Sequence, residues 1–358
     1  MEGFLERFER ADEVRLWRYV LPLVEPVTLG PGKTISERSG VILEVVRDGK
    51  PFFGEAAPLP GFSRETLAEV EEQLRHIIVA YPGLELSQTS AFRGNFLPSV
   101  DFAVWSLFDS IEGSATQNIP TRGIPLCGLL DGEPDAVVLE AVGLARRGYR
   151  TLKVKVGRGE VGRDAEVVKR VASATGDGVR LRLDANRAWS MAEAMEFASL
   201  IEPASRRIEF IEEPLARAEP DALGMLSQES GMPVALDETL AQGRATIVDD
   251  GRYDFARAFV LKPQIIGATK SLGLARRASV TGASIVVSAS YESGVGMLAL
   301  IRFAERCAAD EPTAAGLDTY RRLEEDVLET RLDLSGPVFE PQAKPTPRLR
   351  YDALERLL

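Results

Sequence analysis

From about residue 124 onward the chain repeats one unit, a short β-branched run followed by an amphipathic helical stretch. The runs are "IPLCGL", "TLKVKVG", "VRLRLDAN", "RIEFIEEP", "MPVALDET", "ARAFVLKP", "ASIVVSAS" and "AAGLDT". Between them lie segments such as "DAVVLEAVGLARRG", "GRDAEVVKRVASA" and "ATKSLGLARRASV". Strands that alternate with helices of this length pair in parallel, because each helix carries the chain back to the end of the sheet where the previous strand began. Eight such strands with seven helices read as a (β/α)8-type barrel, with an open doubly wound sheet as the alternative. Helix punctuation agrees: in "SMAE", Ser190 and Glu193 have capping-box spacing ahead of "AMEFASLI".

Before residue 124 the texture changes. Two long strand-like segments, "VRLWRYVLPL" and "GVILEVVRDGKPFFGEAA", precede helical "RETLAEVEEQLRHIIVAY" and "SVDFAVWSLFDSI". That order belongs to a small α+β domain. The stretches "VEPVTLGPGKTISERSG" and "PLPGFS" read as loops, suited to covering a barrel mouth. We therefore expect an α+β capping domain over residues 1–123, a barrel over 124–320, and a C-terminal segment, 321–358, that packs back on the capping domain. The first dozen or so residues read as an extension.

The 358 residues carry 54 acidic against 43 basic side chains, a net charge of -11, which disfavours a nucleic-acid or anionic-membrane partner and favours a small-molecule ligand. Two cysteines, Cys127 and Cys307, make neither a disulfide framework nor a thiolate metal site, so a reducing cytoplasm is expected. The N-terminus lacks the pattern of a secretory signal, and no run approaches the roughly 18 apolar residues of a membrane span. The single histidine, His76, sits in a helical stretch and leaves no material for a His-rich metal site or a His-Asp dyad.

Ionisable residues recur at the strand ends. Lys155, Asp184, Glu212, Asp237 and Lys262 close five consecutive strands at one-unit intervals. In a barrel the C-terminal ends of all strands share one mouth, where active sites of this fold are built, so the five side chains should converge. Taken singly, each is an ordinary solvated charge or helix cap; recurrence at the same end of every unit argues against that. Three carboxylates on adjacent strands repel one another in a partly dry cavity unless a cation sits among them. All-oxygen ligation selects a hard divalent ion, and Mg2+ suits it. A salt bridge of the carboxylates to the lysines is the structural alternative. Lys153 and Lys155 share a strand face. A lysine beside a divalent cation and another ammonium group has a lowered pKa and can act as a base, which points to removal of a proton next to a carboxylate.

At these residues the chain resembles the enolase superfamily, and most of all its o-succinylbenzoate synthase branch. The resemblance is carried by "KVKVG", "LRLDANRAWS", "IEEP", "LDET", "LKP" and "SASYESGVG", with "GEAAPLPGFSRET" in the first domain and "GLDT" near the end. It implies that Lys155 removes the proton alpha to the substrate carboxylate and returns it to the departing hydroxyl, that Lys153 tunes it, and that Lys262 stabilises the enediolate by its charge. It implies Mg2+ on Asp184, Glu212 and Asp237. In "IEEP" composition leaves either glutamate open; motif alignment and shared strand parity with Ile208 and Phe210 favour Glu212. Arg182 and Asn186 share the parity of Asp184, and Ser288, Ser290 and Gly316 match positions that contact the succinyl side of the substrate. The implied reaction is syn-dehydration of 2-succinyl-6-hydroxy-2,4-cyclohexadiene-1-carboxylate to 2-succinylbenzoate, a step of menaquinone biosynthesis.

The rivals on the same scaffold are an N-acylamino-acid racemase, a dipeptide epimerase and a muconate cycloisomerase; the first two would use Lys155 and Lys262 as opposed bases. A Schiff-base aldolase on Lys262 would leave the carboxylates unexplained. A non-catalytic scaffold barrel would have no use for either lysine.

Overall fold

The structure is a computed structural model, and it describes residues 11–29, 33–80, 96–116, 123–241, 251–308, 312–340 and 347–358. Of the first dozen or so residues, expected to be an extension, residues 1–10 lie outside these. Strands β1 (Glu13–Thr28), β2 (Thr34–Arg47) and β3 (Lys50–Ala56) form an antiparallel meander. The β2–β3 turn is Asp48–Gly49, with φ of 51° and 69°, the left-handed pair that a two-residue hairpin needs and that Asp-Gly supplies. Helices Leu67–Ala80 and Pro98–Thr116 cover one face, burying Val70, Leu74, Val100, Ala103 and Leu107 against Leu16, Val41, Leu43 and Val45.

One expectation fails here. The segment "VEPVTLGPGKTISERSG" is mostly strand, since β1 runs on to Thr28 and β2 begins at Thr34, with Val27 opposite Ile35. Prolines discourage such pairing because they donate no hydrogen bond. The register shifts between Pro22 and Val27, so the irregularity is confined to that stretch and the flanking Val and Thr residues pair normally.

After the two-residue strand β4 (Ile124–Pro125) come seven parallel strands: β5 (Cys127–Leu130), β6 (Thr151–Lys155), β7 (Arg180–Asp184), β8 (Ile208–Glu212), β9 (Val234–Leu236), β10 (Ala258–Leu261) and β11 (Ser284–Val287). They pair in sequence order. The eighth expected strand, "AAGLDT", is reduced to two bridges, Ala315 to Leu126 and Gly316 to Ser288. The Ala315 carbonyl accepts from Cys127 N at 2.9 Å and Gly316 N donates to the Val287 carbonyl at 2.9 Å, so the segment spans both edges of the sheet and closes the ring.

Strand alternation separates two apolar cores. Outward residues Leu152, Val154, Leu181, Leu183, Ile211 and Leu236 pack with the helix faces of Ala141, Val168 and Phe197. Inward residues Phe210, Ala235, Ala258, Val260 and Val286 fill the barrel. Full burial of each large side chain contributes about 1.5–3 kcal/mol, so a one-residue slip of any strand would exchange these cores at large cost.

Of the last strands, one pairs at the start of the barrel and one returns to the first domain. β12 (Val338–Phe339) pairs with β4, and β13 (Glu355–Arg356) adds to the free edge of β1. Barrel and capping domain also meet through ion pairs of Asp109 with Arg302 and Arg306, and through Trp105 set edge-on to Phe303 at 5.0 Å. Among the described residues no helix is long and apolar enough to cross a membrane.

Candidate active site

The register of the sheet lines up the strand ends. Lys155 is opposite Asp184 and Asp184 opposite Glu212, while one layer deeper Lys153 is opposite Arg182 and Arg182 opposite Phe210. Asp237 and Lys262 follow the ends of β9 and β10 with the same inward parity as Ala235 and Val260. Gly157 lets the chain leave β6 tightly: its φ is +77°, and a Cβ there would lie 2.6 Å from Ala188 Cβ and 2.9 Å from the Ala185 carbonyl.

The five strand-end charges are brought together. Lys153 Nζ lies 2.9 Å from Asp184 Oδ2 and 2.5 Å from Glu212 Oε2. Lys155 Nζ lies 3.1 Å from the same Asp184 oxygen and donates to Asn186 Oδ1 at 2.6 Å. Across the ring, Lys262 Nζ is 2.5 Å from Asp237 Oδ2. All three carboxylates are buried.

Electrostatics divides the carboxylates. Burial alone would raise the Asp184 carboxyl, but Lys153 and Lys155 outweigh it and hold Asp184 far below the usual range. Glu212 is pushed up to about 7, by burial first and then by Asp184 and Asp237, against the pull of Lys153. Lys153 and Lys262 lie directly against carboxylates in this structure, and those carboxylates act against burial at each lysine. Burial pulls each down, yet Asp184 and Glu212 at the one, and Asp237 and Glu238 at the other, hold both above the ordinary value. With carboxylates as the nearest partners, attraction exceeds the desolvation penalty.

The donor set fits a hard cation: every available ligand is a carboxylate oxygen, and the carboxylates raise one another's proton affinity. Glu238, beside Asp237, adds to it. Its carboxyl is pushed up to about 7 by burial and by Asp237, and its Oε2 is buried without a hydrogen-bond partner. Among the described residues no three such side chains already converge as a cage. Lys153 and Lys262 lie against them, so holding an ion requires those ammonium groups to withdraw.

The remaining expected residues divide. Asn186 N donates to Asp184 Oδ1 at 3.1 Å and its amide to Glu238 Oε1 at 3.1 Å, which links Lys155 to Glu238. Arg182 is engaged with protein groups deep in the barrel, donating to Glu209 at 2.9 Å and to the Ala314 carbonyl at 2.6 Å, with its guanidinium over Phe210. Ser288 and Gly316 are neighbours across the ring closure, and a Cβ on Gly316 would come within 3.1 Å of Ser288 Oγ. Ser290 is buried, its backbone N–H held by Glu292 Oε2 at 2.5 Å and its hydroxyl without a partner.

Reading strand ends alone misses Glu238, whose signal is adjacency to Asp237 in "LDET", and Glu55 and Glu292. Glu55, at the end of β3, accepts from Tyr19 Oη at 2.8 Å, from the backbone of Ser293 and Gly296, and from the Ser293 hydroxyl at the start of helix Gly294–Cys307. First-domain residues Leu29, Leu59 and Phe62 pack against Ile265, Ala241 and Tyr291 beside the mouth. A cavity of about 240 Å³ opens next to Lys155, between Leu130, Val137 and Arg158.

Residues 136–345 match the model described as enolase C-terminal domain-like, and residues 11–107 match the MenC N-terminal domain. The o-succinylbenzoate synthase of Klebsiella pneumoniae (strain 342) is 32% identical over 353 residues, 96% of this chain and 99% of that protein. The solved o-succinylbenzoate synthase of Thermosynechococcus elongatus BP-1, complexed with Mg in its active site, superposes with a TM-score of 0.72 at 27% identity, covering 90% of this chain and 97% of that one. The L-Ala-D/L-Glu epimerase of Bacillus subtilis shares the fold, with a TM-score of 0.80 at 22% identity over 95% of this chain and 100% of that one. Two family models that together take in both domains, and a relative matched almost end to end, show that the chain belongs to the o-succinylbenzoate synthase family of the enolase superfamily.

Proposed function

We propose that the protein is a hydro-lyase that catalyses syn-dehydration of 2-succinyl-6-hydroxy-2,4-cyclohexadiene-1-carboxylate to 2-succinylbenzoate, a step of menaquinone biosynthesis in the cytoplasm. The observation that carries this reading is the layer in which Lys155 and Lys262 stand on opposite sides of Asp184, Glu212 and Asp237. Full-length similarity to a synthase of that name supports it. Asp184, Glu212 and Asp237 would hold Mg2+, with Glu238 beside them. When bound, Mg2+ would polarise the substrate carboxylate and so acidify the adjacent C–H bond.

The protein's own groups do the rest. Lys155, as the free amine, takes the alpha proton and passes it to the hydroxyl on the same face of the ring; that C–O bond breaks, water departs, and aromatisation drives the step. Lys262, kept protonated, sets positive charge against the developing anion from the other side. Lys153, one layer deeper on the same strand face, supplies positive charge behind Lys155. Asn186 orients Lys155 through its 2.6 Å hydrogen bond.

The opposed lysines also suit racemisation of an N-acylamino acid, in which each serves as a base. The purified protein is therefore offered the cyclohexadiene acid and a panel of N-succinylamino acids, with Mg2+ and with chelator. Metal-dependent appearance of 2-succinylbenzoate, lost in chelator, is expected. No dehydration together with rapid alpha-proton exchange on an amino-acid derivative would replace this reading with the racemase.

A further inference from the structure

The second glutamate of "IEEP" is absent from the lysine–carboxylate layer, yet it is completely buried and its carboxylate accepts four hydrogen bonds. Glu213 Oε1 takes the backbone N–H groups of Asp237 and Thr239, at 3.0 and 2.8 Å. Its Oε2 takes Arg187 Nε and the Thr239 hydroxyl, each at 3.0 Å. Arg187 closes the triangle by donating to Thr239 Oγ1 at 2.9 Å, and its backbone N–H reaches the Glu213 carbonyl at 2.7 Å.

Each corner of this triangle belongs to a turn that carries a candidate metal ligand. Arg187 follows Asp184 and Asn186, Glu213 follows Glu212, and Thr239 follows Asp237 and Glu238. The backbone bends sharply at two of these corners: Asn186, Arg187 and Glu213 have φ of 44°, 60° and 39°, a region that side-chain-bearing residues hold only when the surroundings impose it. Two amides of one turn bound to a single carboxylate oxygen fix the backbone from 237 to 239, and hence the directions in which Asp237 and Glu238 leave it.

We propose that Glu213, with Arg187 and Thr239, is a positioning device that sets the spacing of Asp184, Glu212 and Asp237 for a divalent cation. The proposal rests on the metal reading above but not on the identity of the organic substrate. A triangle that only braced the rim would affect stability and leave cation affinity alone, so affinity is the deciding measurement.

The full chain and its Glu213→Gln and Thr239→Val variants are titrated with Mg2+ by calorimetry, and backbone amide exchange is followed in chelator. We expect Glu213→Gln to weaken Mg2+ binding about 10- to 100-fold, the usual effect of losing a group that orients a ligand. The Asp237 and Thr239 amides should exchange faster without any metal present, and saturating Mg2+ should return most of kcat. Thr239→Val should weaken binding in the same direction and Thr239→Ser should restore it; this pair carries the test if Glu213→Gln does not fold. Glu193→Ala, which breaks the remote capping box, should lower stability and leave Mg2+ affinity unchanged. A folded Glu213→Gln or Thr239→Val protein that binds Mg2+ within twofold of the parent overturns the proposal, as does a parent that shows no saturable Mg2+ binding. Loss of the dehydration reading with these affinity shifts intact would leave the positioning role standing.

Discussion

At the scale of single residues, the two lysines that carry the proposed chemistry sit in different surroundings. Lys155 shares Asp184 with Lys153 and leans on Asn186, whereas Lys262 faces Asp237 alone at close range. Replacing Lys155 by Ala should lower kcat by about 10³-fold or more, the scale of a lost proton-transfer group, and Lys262→Ala should do the same. Single-turnover formation of 2-succinylbenzoate measures both; a Lys155→Ala enzyme retaining a tenth of the parent rate would exclude this lysine as the base.

Glu292 gives a pH signature of its own. Burial, and then the charge of Glu55, push its carboxyl up from 4.5 to about 7. A raised carboxyl favours the folded state in its protonated form, so its contribution is complete below pH 4.5 and is lost as pH rises through about 7. The span corresponds to about 3 kcal/mol. Urea unfolding at pH 4 and pH 8 should show the parent losing that much more stability than Glu292→Gln across the interval. Equal losses would mean that Glu292 is not buried as described.

At the scale of elements, the capping box and the barrel strands were readable because each depends on local chemistry. Ser190 accepts from Glu193 N at 3.3 Å, and Glu193 returns to Ser190 N at 2.8 Å, as the four-residue spacing demands. The long hairpin of β1 and β2 was not readable, since whether a Pro- and Gly-containing stretch pairs depends on its partner strand rather than on its own residues. Gly157 is an element-scale constraint as well: Gly157→Ala would place a Cβ against Ala188 in a left-handed conformation. We expect a loss of about 1–3 kcal/mol in urea unfolding, with a lower kcat because Lys155 lies two residues away. An unchanged midpoint would show that this loop adapts freely.

At the scale of the whole molecule, Glu55 joins the two domains. Its carboxylate lies at the N-terminus of helix Gly294–Cys307, where the free N–H groups of the first turn favour a negative group, and it also accepts from Tyr19 of β1. Glu55→Ala would leave several buried donors without a partner, a loss of about 3 kcal/mol or more. Glu55→Gln should lose less, and comparison of their urea midpoints tests the ordering; equal midpoints for Ala and parent would remove the residue from the interface.

The sequence by itself determined a parallel α/β sheet, because period-two strands alternating with helices have few ways to bury both faces, while closure of that sheet into a ring came from the bridges of Ala315 and Gly316. It also determined the register of charge, since strand parity and the unit length place Lys155, Asp184, Glu212, Asp237 and Lys262 at one end of the sheet. Only the tertiary structure decided which side chains meet. It reduced the last strand to two bridges and engaged Arg182 with Glu209 and Ala314, and it bound Glu213 to turns 26 and 24 residues away in the chain. Contacts of that kind close long loops, and their partners are chosen by packing and unsatisfied hydrogen bonds in the folded chain, which no local pattern records.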